Sequence, residues 1–265
     1  MAKIYKVKKP TRNEVQSWYI LSDIHDKHYH KPTVDIMMKM AKQNKNWKGL
    51  IINGDLLDME EFMKSKNPDY KRNLKNQFGI EDYFIPAFEK SMKWGNTFLD
   101  VIVSEFDEVI YLLGNHEVRV TEFLKADCPA EYRHNFSFEK GLHLQERGIK
   151  LIQYNDFVEI GGRVMVTHGV YHGTSAVKNH TAVTGKTTLF GYVHQYELKS
   201  FRQVGDTIVG ISLPCACSMN PYYMRNKPNN WTNGFAIVHI NRKYYYIDVK
   251  TIWDDTLIGE SGKVI

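Results

Sequence analysis

The chain has 265 residues, of which 43% are hydrophobic, and its formal net charge at pH 7 is +5. This length suits one large domain or two small ones, and this hydrophobic content is enough to bury a core. The mild positive charge permits a polyanionic partner without demanding one, which excludes a strongly basic packaging protein.

Three further features predict a cytoplasmic, reduced protein that does not insert into a membrane. The chain has no run of 18 apolar residues, and residues 1–6 lack the apolar core of a secretory signal peptide. Its three cysteines cannot build a disulfide framework. Cys215 and Cys217 lie beside Pro214 in an apolar stretch, and we interpret them as buried small residues rather than as a metal site.

The N-terminal residues 1–14 are basic and polar, and the sequence predicts a solvated arm there. The positive side chains of this arm are Lys3, Lys6, Lys8, Lys9 and Arg12. Such an arm can also contact phosphate groups, so this alternative stays open.

A βαβ unit is predicted next. Residues 18–21 and 49–52 are apolar runs typical of buried strands, and the apolar spacing over residues 33–45 predicts a helix between them. A unit of this order favours two parallel strands. The polar residues that follow the two strands are Asp23, His25, Asp55 and Asp58.

Residues 60–104 form a long connection of mixed basic, acidic and aromatic character. We interpret the connection as a helical insertion that covers the fold, with Pro86 near a helix start. The alternative is that it faces the substrate, because basic and aromatic side chains together suit single-stranded nucleic acid. The third apolar run, at 109–113, leads into Asn115, His116 and Glu117.

In the second half of the chain the sequence pattern changes from helices to short strands. A helix is predicted from about 118 to 125, ended by Cys128-Pro129, and a second helical piece spans about 137–147. From residue 149 onward the sequence predicts short strands with turns. These strands are 149–154, 157–161, 163–167, 187–190, 196–202, 207–213, 234–241 and 244–249.

Five of the predicted strands are followed directly by aspartate, asparagine or histidine. The last two lead into His168 and into Gly191-Tyr192-Val193-His194. The carboxyl ends of strands are where open α/β sheets bind ligands. Imidazole, carboxylate and amide groups together suit divalent ions such as Mn²⁺, Fe²⁺ or Zn²⁺. The pattern therefore predicts a metal site assembled from several strand ends.

The ordered motifs resemble the signature of the calcineurin-like metallophosphoesterases over residues from about 18 to 194. They are Asp23-x-His25, Gly54-Asp55-x-x-Asp58, Gly114-Asn115-His116-Glu117, His168 and Gly191-Tyr192-Val193-His194. The resemblance implies an α/β fold of two packed mixed β-sheets flanked by helices, the four-layer αββα metallophosphoesterase sandwich. We expect residues 1–265 to form a single domain of this type, with a helical insertion at about 60–104.

The resemblance also implies two divalent metal ions. We expect Mn²⁺, with Fe, Zn or Ni as alternatives. The first ion would be held by Asp23, His25, Asp55 and His194, and Asp55 would bridge to a second ion bound by Asn115 and His168. In this family such a centre activates a hydroxide that attacks phosphorus.

The resemblance also implies two catalytic residues that do not bind a metal. His116 would stabilise or protonate the leaving oxygen, and Asp58 would hydrogen-bond His116 and fix its tautomer. Glu117 would fix a loop rather than take part in chemistry. Arg119 would either reach a substrate phosphate or form a surface salt bridge.

Tyr192 departs from the family pattern, which has histidine at this position. A neutral phenol is a poor ligand, since its pKa is about 10. The second metal site is therefore expected to be weak, or to recruit His172 or His180, or to need substrate. Tyr192 and His172 are also candidates for binding substrate.

The predicted activity is that of a metal-dependent phosphoesterase, and we expect a phosphodiesterase or nuclease acting on nucleotides or nucleic acid. The layout around the motifs resembles small metallophosphoesterases of bacteriophages, a branch of the DNA-repair exonuclease type, which would place the protein in the host cytoplasm. Two alternatives stay open: a small-molecule phosphomonoesterase, and a degenerate metal-binding scaffold without catalysis.

Overall fold

Two six-stranded mixed β-sheets form the centre of the computed structural model. The structure describes residues 2–64, 67–75, 79–203, 206–225 and 227–257. Residues 65, 66 and 76–78, which belong to the predicted helical insertion, lie outside the described residues.

In the described residues the strands, in chain order, are β1 Ile4–Lys6, β2 Gln16–Leu21, β3 Trp47–Asn53, β4 Glu108–Leu112, β5 Lys150–Ile152, β6 Phe157–Ile160, β7 Val164–Thr167, β8 Thr187–Phe190, β9 Glu197–Gln203, β10 Asp206–Ser212, β11 Asn233–Ile240 and β12 Tyr245–Ile252. The first sheet has the order β12-β11-β2-β3-β4-β5, and the second has the order β1-β6-β7-β8-β10-β9.

The α-helices of the same residues are α1 Lys31–Gln43, α2 Pro68–Lys75, α3 Ile85–Ile102, α4 Asn115–Ala126, α5 Phe138–Gly141 and α6 Ala176–Thr184. A π-helical turn, Ile80–Phe84, leads into α3, and short 3₁₀ helices lie at Asp26–His28, Glu60–Phe62, Val103–Glu105, Ala130–Asn135 and Tyr222–Met224. Within this part of the chain, the helices include none that is both long and apolar enough to cross a bilayer.

The two sheets pack face to face through apolar side chains. Trp18, Ile51 and Ile110 point inward from the first sheet and meet Val166 and Leu189 of the second. The alternate residues of the first sheet point to the opposite face, because successive side chains of a strand alternate. Both faces are therefore buried, which explains why these strands are continuous apolar runs in the sequence.

Helices cover the outer faces of both sheets. Tyr19 and Leu50, on the outer face of the first sheet, belong to one core with Met37 of α1 and Leu99 of α3. On the second sheet, Phe190 packs with Ala176 and Val177 of α6. The layers are helix, sheet, sheet and helix, which confirms the expected fold class.

Strand direction brings the motif loops to one end of the molecule. β2, β3 and β4 run parallel in the first sheet, and β7 and β8 run parallel in the second. The predicted βαβ unit is therefore correct. The turns at 161–162 and 241–243 each join antiparallel strands, β6 to β7 and β11 to β12, as expected.

One local prediction was wrong, and two elements were not predicted. The positive side chains of the N-terminal arm are exposed, as expected, but the arm also contains β1, whose Ile4 pairs with Phe157 at the edge of the second sheet. The helix expected over 137–147 is only one turn, because residues 142–148 continue as turns. Helix α6 was not expected, since its short, β-branched sequence carries little helical signal and its buried face exists only against the second sheet.

Candidate metal centre

Six side chains from five strand ends meet in one cluster. Asp23 and His25 follow β2, Asp55 follows β3 and Asn115 begins α4 after β4, while His168 and His194 come from the loops after β7 and β8. Five of the six are buried, and Asn115 is half-buried. The structure thus brings together every residue that the motifs predicted as a metal ligand.

The loops that carry these residues have an unusual backbone. Asp23, His25, Asp55 and His194 have φ angles of 54°, 51°, 49° and 60°, and Tyr192 has a φ angle of 73°. Residues other than glycine rarely adopt this left-handed region, and each instance costs about 1–3 kcal/mol. Such strain accumulates at functional sites, where surrounding contacts hold the backbone in place.

Asp55 lies at the centre of the cluster. Its Oδ2 atom is 3.4 Å from His168 Nε2 and 3.8 Å from His25 Nε2, and these two imidazoles lie in different groups of the cluster. Its Oδ1 atom accepts a hydrogen bond of 2.9 Å from the backbone N–H of His116. The Oδ1 atom of Asp55 is therefore held by the backbone, and its Oδ2 atom lies between His25 and His168. Each of these imidazoles belongs to one of the two groups of donors described next.

The first group consists of Asp23, His25 and His194 around Asp55. His194 Nε2 lies 3.2 Å from Asp23 Oδ1 and 3.3 Å from His25 Nε2. Two ligand atoms bound to one ion at about 2.0–2.2 Å are separated by about 3.0–3.5 Å in ordinary geometries. The spacing of these donor atoms therefore fits a shared cation.

The other oxygen of Asp23 is held from outside the cluster. Asp23 Oδ2 accepts a hydrogen bond of 2.6 Å from the Ser22 hydroxyl and one of 3.1 Å from the backbone N–H of Tyr192. A side chain on Gly191 would collide with Ser22 and Asp23, so glycine is needed there for the close approach of the two loops.

The second group consists of Asn115 and His168 beside Asp55. His168 Nε2 is 2.9 Å from Asn115 Oδ1, and His168 Nδ1 is 2.9 Å from the carbonyl oxygen of Asn53. A carbonyl only accepts, so Nδ1 carries the proton and Nε2 faces the cluster. Metal-binding histidines are usually oriented by such a contact on their other nitrogen.

The buried carboxylates create a strongly negative field. Burial favours neutral imidazoles, and at His25 it prevails and lowers the pKa. At the other two imidazoles the facing carboxylates outweigh burial: Asp55 raises the pKa of His168 to about 10, and Asp23 raises that of His194 to about 9. Burial likewise opposes ionisation of Asp55, yet His116 and His168 hold its pKa well below the usual value. A field that favours positive charge also favours bound cations.

Asp58 lies between two imidazoles. Its Oδ1 atom is 2.9 Å from His116 Nδ1 and 3.1 Å from His25 Nδ1. Burial disfavours the charged carboxylate, but the hydrogen bonds from His116 and His25 lower its pKa below the usual value. Asp58 therefore orients both His25, which belongs to the first group, and His116, which belongs to neither group.

Arg119 faces inward rather than outward. Its Nη1 atom donates 2.7 Å to the carbonyl oxygen of Asp58, and its Nη2 atom lies 2.8 Å from His116 Nε2. A guanidinium only donates, so His116 Nε2 accepts this hydrogen bond while Nδ1 donates to Asp58. Arg119 is thus not engaged in a surface salt bridge, and it fixes His116 from the side opposite Asp58.

Glu117 ties the loops together from beneath the cluster. Its carboxylate accepts hydrogen bonds from the backbone N–H groups of Asp55, Leu57 and Gly114, at 3.1, 2.9 and 2.8 Å. It also accepts 2.7 Å from the Tyr111 hydroxyl. Its contacts are all of the loop-fixing kind.

An open cleft of about 490 Å³ leads to the cluster. Its walls include His172, Tyr192 and Trp231 beside His116 and His194. The Tyr192 ring lies edge-on to His168, with ring centroids 5.9 Å apart. His172 is exposed on the wall of this cleft. Tyr192 and His172 therefore border the space in front of the cluster, as the sequence analysis anticipated.

His180, by contrast, is used in local structure. Its Nδ1 atom lies 2.9 Å from the Ala176 carbonyl, and its Nε2 atom accepts from the backbone N–H of Val170 at 2.9 Å. Burial lowers its pKa to about 4. Both nitrogens are thus occupied, which removes His180 as the residue that completes the second group.

Sequence reasoning missed several contacts around these side chains. Trp231, from the long loop at 219–233, packs its ring 4.3 Å from that of His194. Cys217 is buried as expected, but its sulfur lies 3.8 Å from His194 Nδ1. No local pattern identified either residue, because both reach His194 from distant parts of the chain.

Comparison with known proteins identifies the family of the chain. The family model described as calcineurin-like phosphoesterase matches residues 18–207. A comparison with curated proteins gave no significant match.

Two solved structures align with most of the chain at low identity and low TM-score. Vps29 from Chaetomium thermophilum is 10% identical, with 94% of this chain and 94% of that chain covered and a TM-score of 0.41. A 5′-nucleotidase precursor from Thermus thermophilus is also 10% identical, with 89% of this chain and 54% of that chain covered and a TM-score of 0.32.

The loop-fixing contacts of Glu117 give a testable prediction. Glu117→Gln replaces a carboxylate oxygen with an NH₂ donor, which must then face backbone N–H donors. An unsatisfied buried polar group costs about 1–3 kcal/mol, so the free energy of unfolding should fall by about that amount. Urea denaturation measures this change.

The matched control is Glu122→Gln, which neutralises an exposed carboxylate on the same helix and should leave stability unchanged. Equal stabilities for Glu117→Gln and Glu122→Gln would contradict the proposed importance of the loop contacts.

Proposed function

The chain belongs to the calcineurin-like phosphoesterase family, and we propose that it hydrolyses phosphodiester bonds of nucleotides or nucleic acid. Membership of the family implies metal-dependent hydrolysis of phosphate esters. The observation that carries the proposal is the position of Asp55 between the two donor groups. Its Oδ2 atom lies 3.4 Å from His168 Nε2 and 3.8 Å from His25 Nε2.

The donor set supports two divalent cations. Asp23, His25, Asp55 and His194 would hold the first, while Asp55, Asn115 and His168 would hold the second. Bound cations supply charge neutralisation at the phosphoryl oxygens and lower the pKa of water. We expect Mn²⁺ because carboxylate, amide and imidazole donors suit it, and the nearby thiol of Cys217 contacts His194 at Nδ1, the nitrogen that does not face Asp23.

His116 would act on the leaving group. It lines the cleft, and its Nε2 atom lies 3.8 Å from Asp55 Oδ2. Asp58 holds Nδ1, so only Nε2 is directed toward substrate. In its protonated form this nitrogen would donate to the departing oxygen, a contribution typical of positioned imidazoles.

Arg119 would change partners when substrate binds. Its guanidinium donates to His116 Nε2 in the free protein, which competes with the proposed role of that nitrogen. A substrate phosphate offers two acceptor oxygens and charge, and would draw the guanidinium away. His116 Nε2 would then be released for the leaving oxygen.

The cleft favours a diester over a monoester. Arg119 would supply one positive charge to the substrate phosphate, and the described lining residues add neither lysine nor arginine, which suits a phosphate with one negative charge better than one with two. Tyr192 and Trp231 supply aromatic surface on which a base can stack. We also propose that the whole chain acts as one domain, with the helical insertion at about 60–104 as a cover.

One observation favours an alternative function, a binding protein whose metal centre lacks a ligand and does not catalyse. Tyr192 occupies the position at which the family has an imidazole, and the second group therefore has fewer good ligands. The hydrogen-bonded pair of Asp58 and His116 argues against this interpretation, because a scaffold has no use for an oriented imidazole in an open cleft.

The first prediction of the proposed function is metal dependence with a preference for diesters. Treatment with EDTA should abolish hydrolysis of bis-p-nitrophenyl phosphate, and added Mn²⁺ should restore it. The restored enzyme should cleave this diester and single-stranded DNA faster than p-nitrophenyl phosphate. Faster cleavage of the monoester would make the protein a phosphomonoesterase, and no cleavage at all would favour the binding protein.

His116 should matter for turnover but not for metal binding. In His116→Ala, kcat should fall by about 10²–10⁴, the usual contribution of such a group, because the leaving oxygen loses its donor. Calorimetric titration should show the same Mn²⁺ affinity as in the wild type. His134→Ala, which removes an exposed imidazole, serves as the control. Loss of metal together with activity would instead make His116 a ligand.

Tyr192 should limit the second cation site. Metal titration of the wild type should give two unequal steps, because the second group lacks an imidazole at this position. Tyr192→His should tighten the second step and raise the rate at limiting Mn²⁺. Tyr192→Phe should leave both unchanged. If Tyr192→Phe loses activity and Tyr192→His gains none, the phenol itself acts on substrate.

A further inference from the structure

The imidazoles around the cluster share one arrangement. His25, His116 and His168 each present Nδ1 to an oxygen acceptor, at 3.1, 2.9 and 2.9 Å. Their Nε2 atoms point toward Asp55. His194 follows the same pattern, since its Nε2 atom faces Asp23 at 3.2 Å. The group at its Nδ1 atom, however, is the sulfur of Cys217, at 3.8 Å.

Backbone contacts hold Cys217 firmly in this position. Its carbonyl oxygen accepts 2.6 Å from the side-chain amide of Asn233, and its backbone forms a β-bridge with Tyr29. The preceding residue, Ala216, donates its N–H to the carbonyl oxygen of Ser22 at 2.9 Å. The segment that carries the thiol is therefore fastened to the same loop that carries Asp23.

The direction of the sulfur favours a positioning contact over direct ligation. Cys217, His25 and His194 lie close enough together to suggest a thiolate-containing metal site. The thiol, however, meets His194 at Nδ1, whereas Nε2 is the atom shared with His25 and Asp23. The two ring nitrogens point in different directions, so the sulfur meets His194 at the nitrogen that does not face Asp23, although it also lies within 4.8 Å of a His25 nitrogen.

We propose that the sulfur of Cys217 accepts the Nδ1–H hydrogen bond of His194 and thereby positions this imidazole for the first cation. Cys217 is thus a positioning residue, and the inference rests on the first cation site of the proposed function. Sulfur is a weak acceptor, but Cys217 is only 1% exposed, so water does not compete for the contact. Trp231 restrains the imidazole ring from a third direction.

Cys215 provides a matched control two residues away. It is also fully buried, and its sulfur contacts the side-chain amide of Asn233 at 3.8 Å and the carbonyl oxygen of Cys217 at 3.9 Å, whereas the sulfur of Cys217 contacts His194. Cys215→Ala and Cys217→Ala therefore remove the same atom from the same apolar region. Only Cys217→Ala removes an acceptor from His194, while Cys217→Ser keeps an acceptor there.

The experiment compares the Mn²⁺ affinity of four proteins by calorimetry after removal of metal: the wild type, Cys217→Ala, Cys217→Ser and Cys215→Ala. The affinity of Cys217→Ala for the first ion should fall by about 10–100-fold, the usual effect of losing such a contact. Cys217→Ser and Cys215→Ala should keep the wild-type affinity. Thermal melting of the metal-free proteins should show similar losses for both alanine variants, which separates affinity from stability.

Absorption spectra with Co²⁺ distinguish positioning from direct ligation. A sulfur bound to Co²⁺ gives a charge-transfer band in the near ultraviolet, and the wild type should show none. A band that disappears in both Cys217→Ala and Cys217→Ser would make the sulfur a ligand and overturn the proposal. Equal losses of affinity in Cys215→Ala and Cys217→Ala would also overturn it, because the effect would then be structural.

One measurement is independent of any metal. The Nδ1–H proton of His194 should give a slowly exchanging NMR signal in the metal-free wild type and in Cys217→Ser, and should exchange faster in Cys217→Ala. If the wild type binds no cation but this dependence holds, the proposed function fails and the positioning contact stands. If exchange is the same in all variants, the positioning contact itself is wrong.

Discussion

The site depends on one constraint: several loops must turn sharply at the same buried point without leaving polar backbone groups unpaired. Glu117 meets the largest part of this demand, since one carboxylate accepts from the backbone of three residues in two loops and from the Tyr111 hydroxyl. An unpaired buried N–H would cost free energy comparable to a lost hydrogen bond. The carboxylate is itself opposed by burial and by Asp55, both of which raise its pKa. The hydrogen bonds that Glu117 accepts from backbone N–H groups act in the other direction and stabilise its charged form.

The same sharing of groups recurs around the imidazoles. Asp58 serves His25 and His116 at once, and the carbonyl oxygen of Asn53, at the end of β3, accepts from His168. Asp58 links the loops after β2 and β4 of the first sheet, whereas Asn53 links the end of β3 to the loop after β7 of the second sheet. The two halves of the chain are therefore coupled at the cluster, and a change in one loop is transmitted to ligands carried by another.

Much of this arrangement could be predicted from the sequence, because it depends on short-range patterns. Apolar runs such as 18–21 identify strands buried on both faces, and the polar residue after each run identifies the strand end. The parallel pairing of β2 with β3 follows from the helix between them. The contacts of Cys217, Trp231 and Arg119 could not be predicted in this way, since they depend on loops that meet only after the two sheets pack. Helix α6 was missed for a related reason: its buried stripe has meaning only against the second sheet.

The left-handed backbone at Asp23, His25, Asp55 and His194 has an evolutionary consequence. Glycine would relieve the conformational strain at each of these positions, so the residues that build the cluster are ones that folding alone would not select. A population selected only for resistance to heat would be expected to drift toward glycine in these loops. Aspartate and histidine at these positions therefore serve what the loops hold, at the expense of how well the loops fold.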